Sequence, residues 1–195
     1  MRNSTLYILY VYLIFTIYPL LSMNGLFAEP IQENNDRKNH FINEIKLGVL
    51  VHDPDHLWSQ HRKEEGLDLN AEVIFSKPTF KILKGTIRPN AGISINTQGD
   101  TSKIYAGFLW EYVFEKNFFL NLGIGGAIHD GELETENDNK KELGSRVLFR
   151  IPIEIGYIVD EHNRISLAFD HVSNGGLVDE NEGFDTIGIR YGYTF

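Results

Sequence analysis

The chain contains no cysteine among its 195 residues. This absence excludes a disulfide scaffold, a thiol nucleophile and cysteine-ligated zinc. Basic residues are also scarce, since 18 Lys and Arg stand against 27 Asp and Glu and give a net charge of −9 at pH 7. Because nucleic acids are polyanions, this balance argues against DNA or RNA as a partner. The length is that of one domain.

Long apolar runs are also missing beyond the N-terminus. Leu6–Ser22 carries no charge, Arg2 is the one positive charge before it, and polar sequence follows Ala28. This arrangement predicts a secretory signal peptide over residues 1–28, cleaved after Ala28, with an uncleaved anchor helix as the alternative. We interpret residues 29–41 as a loose N-terminal extension. The mean hydropathy of −0.22 excludes a helical membrane protein.

The rest of the chain alternates with a period of two residues. Eight segments carry apolar side chains at every second position: residues 45–51, 67–75, 87–95, 104–112, 118–124, 149–157, 165–169 and 187–195. Such alternation is typical of β-strands, whose successive side chains point to opposite faces. Each predicted strand therefore has one apolar face and one face of charge or glycine.

Two barrels can be built from eight such strands. A soluble periplasmic barrel would enclose the apolar faces and bind an apolar ligand, whereas a membrane barrel would turn them outward. The polar faces carry charges of both signs, which favours the membrane barrel because such residues can form ion pairs in a filled lumen. We interpret these charged residues as ion pairs rather than as proton relays. The charged residues in question include Arg88, Arg150, Arg190, Glu72, Glu111 and Glu154.

Strand length and the C-terminus favour the membrane barrel. Tilted strands need about 9–11 residues to cross a bilayer, close to the length of these segments. The end of the last predicted strand, Tyr191–Phe195, is aromatic at alternate positions and finishes with Phe195. This ending resembles the C-terminal signal that outer-membrane barrels present to their assembly machinery. We therefore predict an all-β fold, an eight-stranded antiparallel transmembrane β-barrel over residues 42–195 with a filled polar lumen.

The connections between the segments support this topology in part. An outer-membrane barrel has short periplasmic turns and long outer loops. The predicted periplasmic turns are residues 77–85, 115–117 and 160–163, and the predicted outer loops are 52–66, 97–102, 129–144 and 174–183. The turn 77–85 is long for its side of the membrane, and the loop 97–102 is short for its side.

Three polar residues fall on the predicted lipid-facing side of the last two strands. Continuing the alternation places His171 and Ser173 on that face of the seventh strand, and Asp185 on that face of the eighth. Their depth is near the outer edge of the apolar band, and polar groups facing lipid indicate function. Serine becomes a nucleophile when a neighbouring histidine takes its proton, and a carboxylate orients that histidine.

The motif His171-Val172-Ser173-Asn174-Gly175-Gly176, with an acidic residue on the next strand, resembles the outer-membrane lipid A 3-O-deacylase family. These eight-stranded barrels hydrolyse the ester of the 3-linked hydroxyacyl chain of lipid A on their lipid-facing wall. The resemblance implies that Ser173 is the nucleophile, His171 the base, and Asn174 with Gly176 the oxyanion hole. The third member is usually Glu in the family, and Asp185 stands at its position.

The resemblance also implies the partners. Lipid A or lipopolysaccharide of a Gram-negative outer membrane would be the substrate, in a membrane-embedded monomer or homodimer without cofactor or metal. The adjacent loop carboxylates Asp179, Glu180 and Glu182 are alternatives to Asp185 as the third member. A different function remains open at this stage, that of a non-catalytic outer-membrane barrel with a structural or adhesive role through its outer loops.

Two further groups of residues invite a functional interpretation. His52, His56 and His61 are metal-ligand types, but their spacing matches no known site, so we interpret them as part of a solvated loop. Trp58 and Trp110 are interpreted as interface or packing aromatics rather than as substrate platforms.

Overall fold

The computed structural model describes residues 40–59 and 61–195. The predicted signal peptide over residues 1–28 and the first part of the predicted extension, residues 29–39, lie outside the described residues. The described residues include no apolar helix of membrane-spanning length.

The described residues form β-strands joined by turns and loops. The strands are β1 (Ile42–His52), β2 (Leu67–Phe75), β3 (Phe80–Ile82), β4 (Gly85–Asn96), β5 (Lys103–Phe114), β6 (Phe118–His129), β7 (Val147–Ile158), β8 (Asn163–Ser173) and β9 (Phe184–Thr194). Eight of them are long, and each predicted segment falls on one of these. They pair antiparallel in the order β2-β1-β9-β8-β7-β6-β5-β4, and pairing of β2 with β4 closes the sheet. The predicted eight-stranded antiparallel barrel is confirmed.

The short strand β3 was not predicted. It forms a hairpin with the start of β4 through Leu83 and Lys84, whose φ angles of 50° and 63° are those of a two-residue hairpin turn. Such turns match the twist of the strands that they join. This hairpin explains why the connection 77–85, expected to be a plain periplasmic turn, is longer than the others. Three residues are too few for a period of two to be recognised.

The apolar faces of the long strands point outward, opposite to the arrangement expected for a soluble barrel. Exposed apolar side chains occur on every long strand, and examples are Leu47, Leu69, Ile95, Ile104, Ile124, Ile155, Leu167 and Ile189. The polar faces are buried inside. This division follows from the alternation itself, because every second side chain of a strand points to the same face.

Ion pairs fill the barrel interior. Lys46 Nζ lies 2.7 Å from Glu154 Oε2, and Arg150 Nε lies 2.9 Å from Asp170 Oδ2. The predicted lumen pairs also form, at 3.7 Å for Arg88–Glu111, 3.3 Å for Arg150–Glu72 and 3.7 Å for Arg190–Glu154. The lumen is thus occupied by charged side chains, and the chemistry of the protein has to lie on its wall or loops.

The outer loops are tied to one another rather than freely solvated. Lys141 in the β6–β7 loop lies 3.2 Å from Asp53 in the β1–β2 loop, and Lys63 lies 2.7 Å from Glu182 in the β8–β9 loop. These three loops therefore meet in one assembly over the outer end of β8 and β9. This contact network fixes the loop that covers the candidate site.

The interpretation of His52 as part of a solvated loop is wrong. His52 is completely buried, with its Nδ1 2.9 Å from Asp68 Oδ1 and its Nε2 3.0 Å from Glu64 Oε2. Each ring nitrogen has a carboxylate as its hydrogen-bond partner, and these contacts offset the cost of burying the imidazole. His56 and His61 are exposed as expected. The described residues contain no group of three or more His, Cys, Asp or Glu arranged to hold a metal ion.

Candidate active site

His171, Ser173 and Asp185 meet where β8 ends and β9 begins. His171 and Asp185 are directly opposed across the two strands, and the pairing runs without a shift from Asn163–Tyr193 to this point. The unbroken register preserves the alternation, so the three side chains share the outward face with the apolar residues of the wall. A bulge in either strand would have turned one of them into the lumen.

The three side chains form a chain of hydrogen-bonding contacts. His171 Nδ1 lies 2.7 Å from Asp185 Oδ1, and His171 Nε2 lies 3.1 Å from Ser173 Oγ. Asp185 is fully buried, His171 is 7% exposed, and Ser173 is partly exposed. With the proton on Nδ1 donated to Asp185, Nε2 is free to accept the hydroxyl proton of Ser173. An arrangement of this kind can activate a serine hydroxyl as a nucleophile.

Two residues of the β1–β2 loop, which sequence reasoning did not place at the site, cover this chain. The Trp58 ring stacks on the His171 ring with centroids 4.5 Å apart and an interplanar angle of 15°. The Ser59 backbone N–H donates to Asp185 Oδ2 at 2.7 Å, across 126 positions of sequence. No local pattern signals contacts over such a distance. The interpretation of Trp58 as a packing aromatic did not name its partner.

The residues assigned to the oxyanion hole form the turn after Ser173. The Asn174 side-chain amide is buried, its Nδ2 donates to the carbonyls of Leu143 and Glu180, and its Oδ1 accepts the Gly176 N–H at 2.8 Å. These donors are therefore engaged within the loops. Their role in binding an oxyanion stays a prediction.

The turn depends on glycine. Gly175 and Gly176 have φ angles of 70° and 76°, a region that side chains with a Cβ adopt at a cost. The Gly175 N–H, which lies in this turn, donates to no acceptor within the described part of the chain. The turn thus exposes a backbone donor two residues after the serine.

The loop carboxylate Glu182 has partners other than His171. Glu182 Oε1 pairs with Lys63, and its Oε2 accepts the backbone N–H of Glu142 at 2.8 Å. Among the described carboxylates, Asp185 is the one that contacts His171. The alternatives Asp179 and Glu180 lie in the β8–β9 loop away from this contact.

A family model described as lipid A 3-O-deacylase (PagL) matches residues 85–194, which is more than half of the chain. The chain belongs to the lipid A 3-O-deacylase (PagL) family. The matched stretch contains His171, Ser173 and Asp185, so the predicted family resemblance is confirmed. The PagL match begins at β4 and ends at the last residue of β9.

Two individual PagL proteins are similar to this chain. The chain is 30% identical over 80 residues to the lipid A deacylase PagL of Bordetella bronchiseptica (strain ATCC BAA-588 / NCTC 13252 / RB50), covering 41% of this chain and 43% of that protein. The match therefore spans less than half the length of this curated relative. A crystal structure of the outer membrane enzyme PagL is similar with a TM-score of 0.56 and 17% identity, covering 77% of this chain and 99% of that one. At this identity the likeness shows the barrel fold alone.

Proposed function

We propose that the protein is an outer-membrane esterase that hydrolyses the 3-O-linked acyl chain of lipid A. The observation that carries this proposal is the contact of His171 with both Ser173 and Asp185, in a chain of the lipid A 3-O-deacylase family. The substrate is lipid A within lipopolysaccharide, and the barrel is embedded in the outer membrane that contains it. The apolar outer wall supports this placement.

The reaction proceeds by acyl transfer to serine. Ser173 Oγ attacks the ester carbonyl carbon while His171 Nε2 takes its proton, and Asp185 stabilises the resulting imidazolium. The tetrahedral intermediate collapses, the C–O bond to the sugar breaks, and His171 returns the proton to the departing sugar oxygen. Water then hydrolyses the acyl-enzyme by the same steps and releases the fatty acid.

The turn after the serine supplies the oxyanion donors. Donors at Asn174 and Gly176 face a developing negative charge once each exchanges its present acceptor for the substrate oxygen. That acceptor is a loop carbonyl for Asn174 Nδ2 and Asn174 Oδ1 for the Gly176 N–H. Backbone N–H groups in a tight glycine turn are suited to this role, because no side chain hinders the approach of the carbonyl.

The surroundings of Ser173 suit an acyl chain. Phe149 of β7 is the cross-strand partner of Ser173 and is 51% exposed on the outer wall. Phe169 lies on the same face of β8 as Ser173, two positions below His171. A hydrocarbon chain that extends from the ester along these side chains stays within the apolar layer of the membrane.

Mass spectrometry of lipid A tests the proposal. Cells that express the wild-type chain should contain lipid A lighter by one 3-hydroxyacyl group, and cells that express Ser173→Ala should not. Ser145→Ala is the matched control, because Ser145 lies in the neighbouring loop and donates to the Val147 carbonyl. Heat-shifted migration on a denaturing gel verifies that each barrel is folded. Unchanged lipid A with folded wild-type protein, or deacylation by Ser173→Ala, would refute the esterase.

A further inference from the structure

The β1–β2 loop, residues 53–66, folds over the outer end of β8 and β9. The side chain of buried Asp53 organises it, because Oδ2 accepts the backbone N–H groups of Lys63 at 2.8 Å and Glu64 at 3.2 Å. Its Oδ1 lies 3.2 Å from Lys141 Nζ. The backbone N–H of Asp53 donates to the Asp185 carbonyl at 2.9 Å. The loop is therefore anchored beside the candidate active site at its base.

The tip of the same loop contacts two members of the triad. The Ser59 N–H holds Asp185 Oδ2 while His171 contacts Oδ1, so each carboxylate oxygen has its own partner. The Trp58 ring lies face to face with the imidazole and also stacks on Phe169 at 6.5 Å. Trp58 is 52% exposed, so one face covers His171 while much of the rest of the side chain remains open.

We infer that Trp58 and Ser59 are positioning residues for the hydrolytic reaction. Ser59 fixes the Asp185 carboxylate, and the Trp58 ring holds the His171 imidazole and stabilises its protonated form. The inference rests on the proposed function for its chemical meaning. The contacts on which it depends stand independently of that function.

The face of the indole ring explains why Trp58 stabilises the protonated form of His171. His171 becomes positive when it accepts the proton of Ser173, and a cation within about 6 Å of an indole face is attracted to it. At 4.5 Å the two rings satisfy this condition. The attraction is present in the transition state and weak for the neutral imidazole, so it accelerates the reaction rather than tightening substrate binding. Its loss is expected to lower kcat by about 3- to 30-fold.

Two substitutions at Trp58 separate the aromatic face from apolar bulk. Trp58→Phe keeps a ring over His171, and Trp58→Leu keeps an apolar side chain without one. We expect Trp58→Leu to lower kcat with KM unchanged, and Trp58→Phe to restore most of the rate. Equal rates for Trp58→Leu and wild type, equal losses in both variants, or a raised KM with unchanged kcat would overturn the inference for Trp58.

A second pair of substitutions tests the backbone donor of Ser59. Ser59→Pro removes the N–H that Asp185 accepts, whereas Ser59→Ala keeps it. We expect the proline variant to lose more kcat than the alanine variant. Equal kcat in the two variants would overturn the role of Ser59.

A fluorescence titration tests the Trp58–His171 contact without catalysis. Trp110→Phe with Ser173→Ala leaves Trp58 as the one tryptophan in an inactive chain. A protonated imidazole quenches the emission of an indole that it touches, so emission should fall as His171 is protonated. Asp185 is the charged side chain in contact with this imidazole, and His56 and His61 are exposed residues of the same loop.

Adding His171→Asn supplies the control for this titration. The pH-dependent change should disappear in that variant, because His56 and His61 remain. A change that persists without His171, or its absence when His171 is present, would overturn the inference whatever the protein hydrolyses. A normal titration together with unchanged lipid A in cells would instead refute the esterase and leave the contact intact.

Discussion

His171 and Asp185 are directly opposed residues of β8 and β9, and their Nδ1 and Oδ1 atoms are 2.7 Å apart. Opposed residues of antiparallel strands have Cβ atoms about 4.5–5.5 Å apart, so the short aspartate side chain spans the gap. The family resemblance implies a glutamate at this position. The register of the two strands and the Ser59 N–H together hold the Asp185 carboxylate against His171, although aspartate is shorter than the glutamate of the family.

Asp185→Asn is expected to abolish most of the activity. The amide keeps the size of the carboxylate but not its charge, and it favours the wrong imidazole tautomer, which typically costs on the order of 10⁴-fold in kcat. Asp185→Glu retains the charge but has to accommodate one more methylene, so we expect an intermediate rate. The rate at which each variant releases hydroxyacyl chains from purified lipopolysaccharide measures its activity. An asparagine variant as active as wild type would show that Asp185 does not orient His171.

Asn174→Asp is expected to open the turn after Ser173. The substitution places a carboxylate oxygen against the carbonyls of Leu143 and Glu180, where the amide nitrogen now donates. Each buried group that loses its partner costs about 1–3 kcal/mol. Hydrogen exchange of residues 174–183 should accelerate while exchange in the barrel strands stays unchanged. Asn139→Asp on an exposed loop is the control, and equal exchange in both variants would contradict this account.

Asp170→Asn is expected to destabilise the whole barrel. Asp170 accepts from Arg150 Nε at 2.9 Å and lies 3.2 Å from Lys103 Nζ, with all three side chains buried. Removal of one partner from a buried pair costs about 3–5 kcal/mol. Denaturant unfolding in phospholipid vesicles should show this loss in the free energy of unfolding. Asp160→Asn in the exposed β7–β8 turn should change it little, and similar values for the two variants would argue against the lumen ion pairs as a source of stability.

Glu64 makes the loop assembly sensitive to acid. Burial raises the pKa of Glu64, but hydrogen bonds with His52 and from Thr101 outweigh it and hold the pKa below the usual 4.5. A carboxylate whose pKa is lowered by folding contributes stability above its unfolded pKa, and this stability is lost as the pH falls through the folded pKa. Glu64→Gln should therefore speed protease cleavage of the outer loops at pH 7.

The same variant should lose this difference in acid. Below the usual pKa of 4.5, wild-type Glu64 progressively takes up a proton and resembles the glutamine. Cleavage rates by an acid-active protease should stay apart while the pH remains above 4.5 and converge as the pH falls below it. A difference that stays constant over the whole range would show that the Glu64 charge does not hold the loops.

The barrel, and the shared outward face of His171, Ser173 and Asp185, could be predicted from the sequence for one physical reason. Side-chain direction in a strand depends only on whether a position is odd or even, and β8 and β9 pair without a shift. The alternation of Ile165, Leu167 and Phe169 could thus be extended to His171 and Ser173. The same rule assigned the charged residues to the lumen.

The position of the β1–β2 loop over the site could not be predicted, because it depends on contacts between loops that are distant in the sequence. Trp58 reaches His171 because Asp53 and Lys141 anchor the β1–β2 loop, and no periodic pattern encodes that pair. His52 was misread for a related reason. Polar residues between two strands are usually solvated, and its burial depends on carboxylates that the fold brings to both ring nitrogens.

For the esterase that we propose, the charged side chains that occupy the barrel interior also determine how lipid A would reach Ser173. Arg150, Arg190 and Glu154 are buried in the interior that the described strands enclose. The route to the serine therefore runs outside the barrel. For the proposed esterase, encounters with substrate are then two-dimensional and occur by lateral diffusion in the outer leaflet. Turnover in cells should accordingly follow the fluidity of that leaflet and its cross-linking by divalent cations.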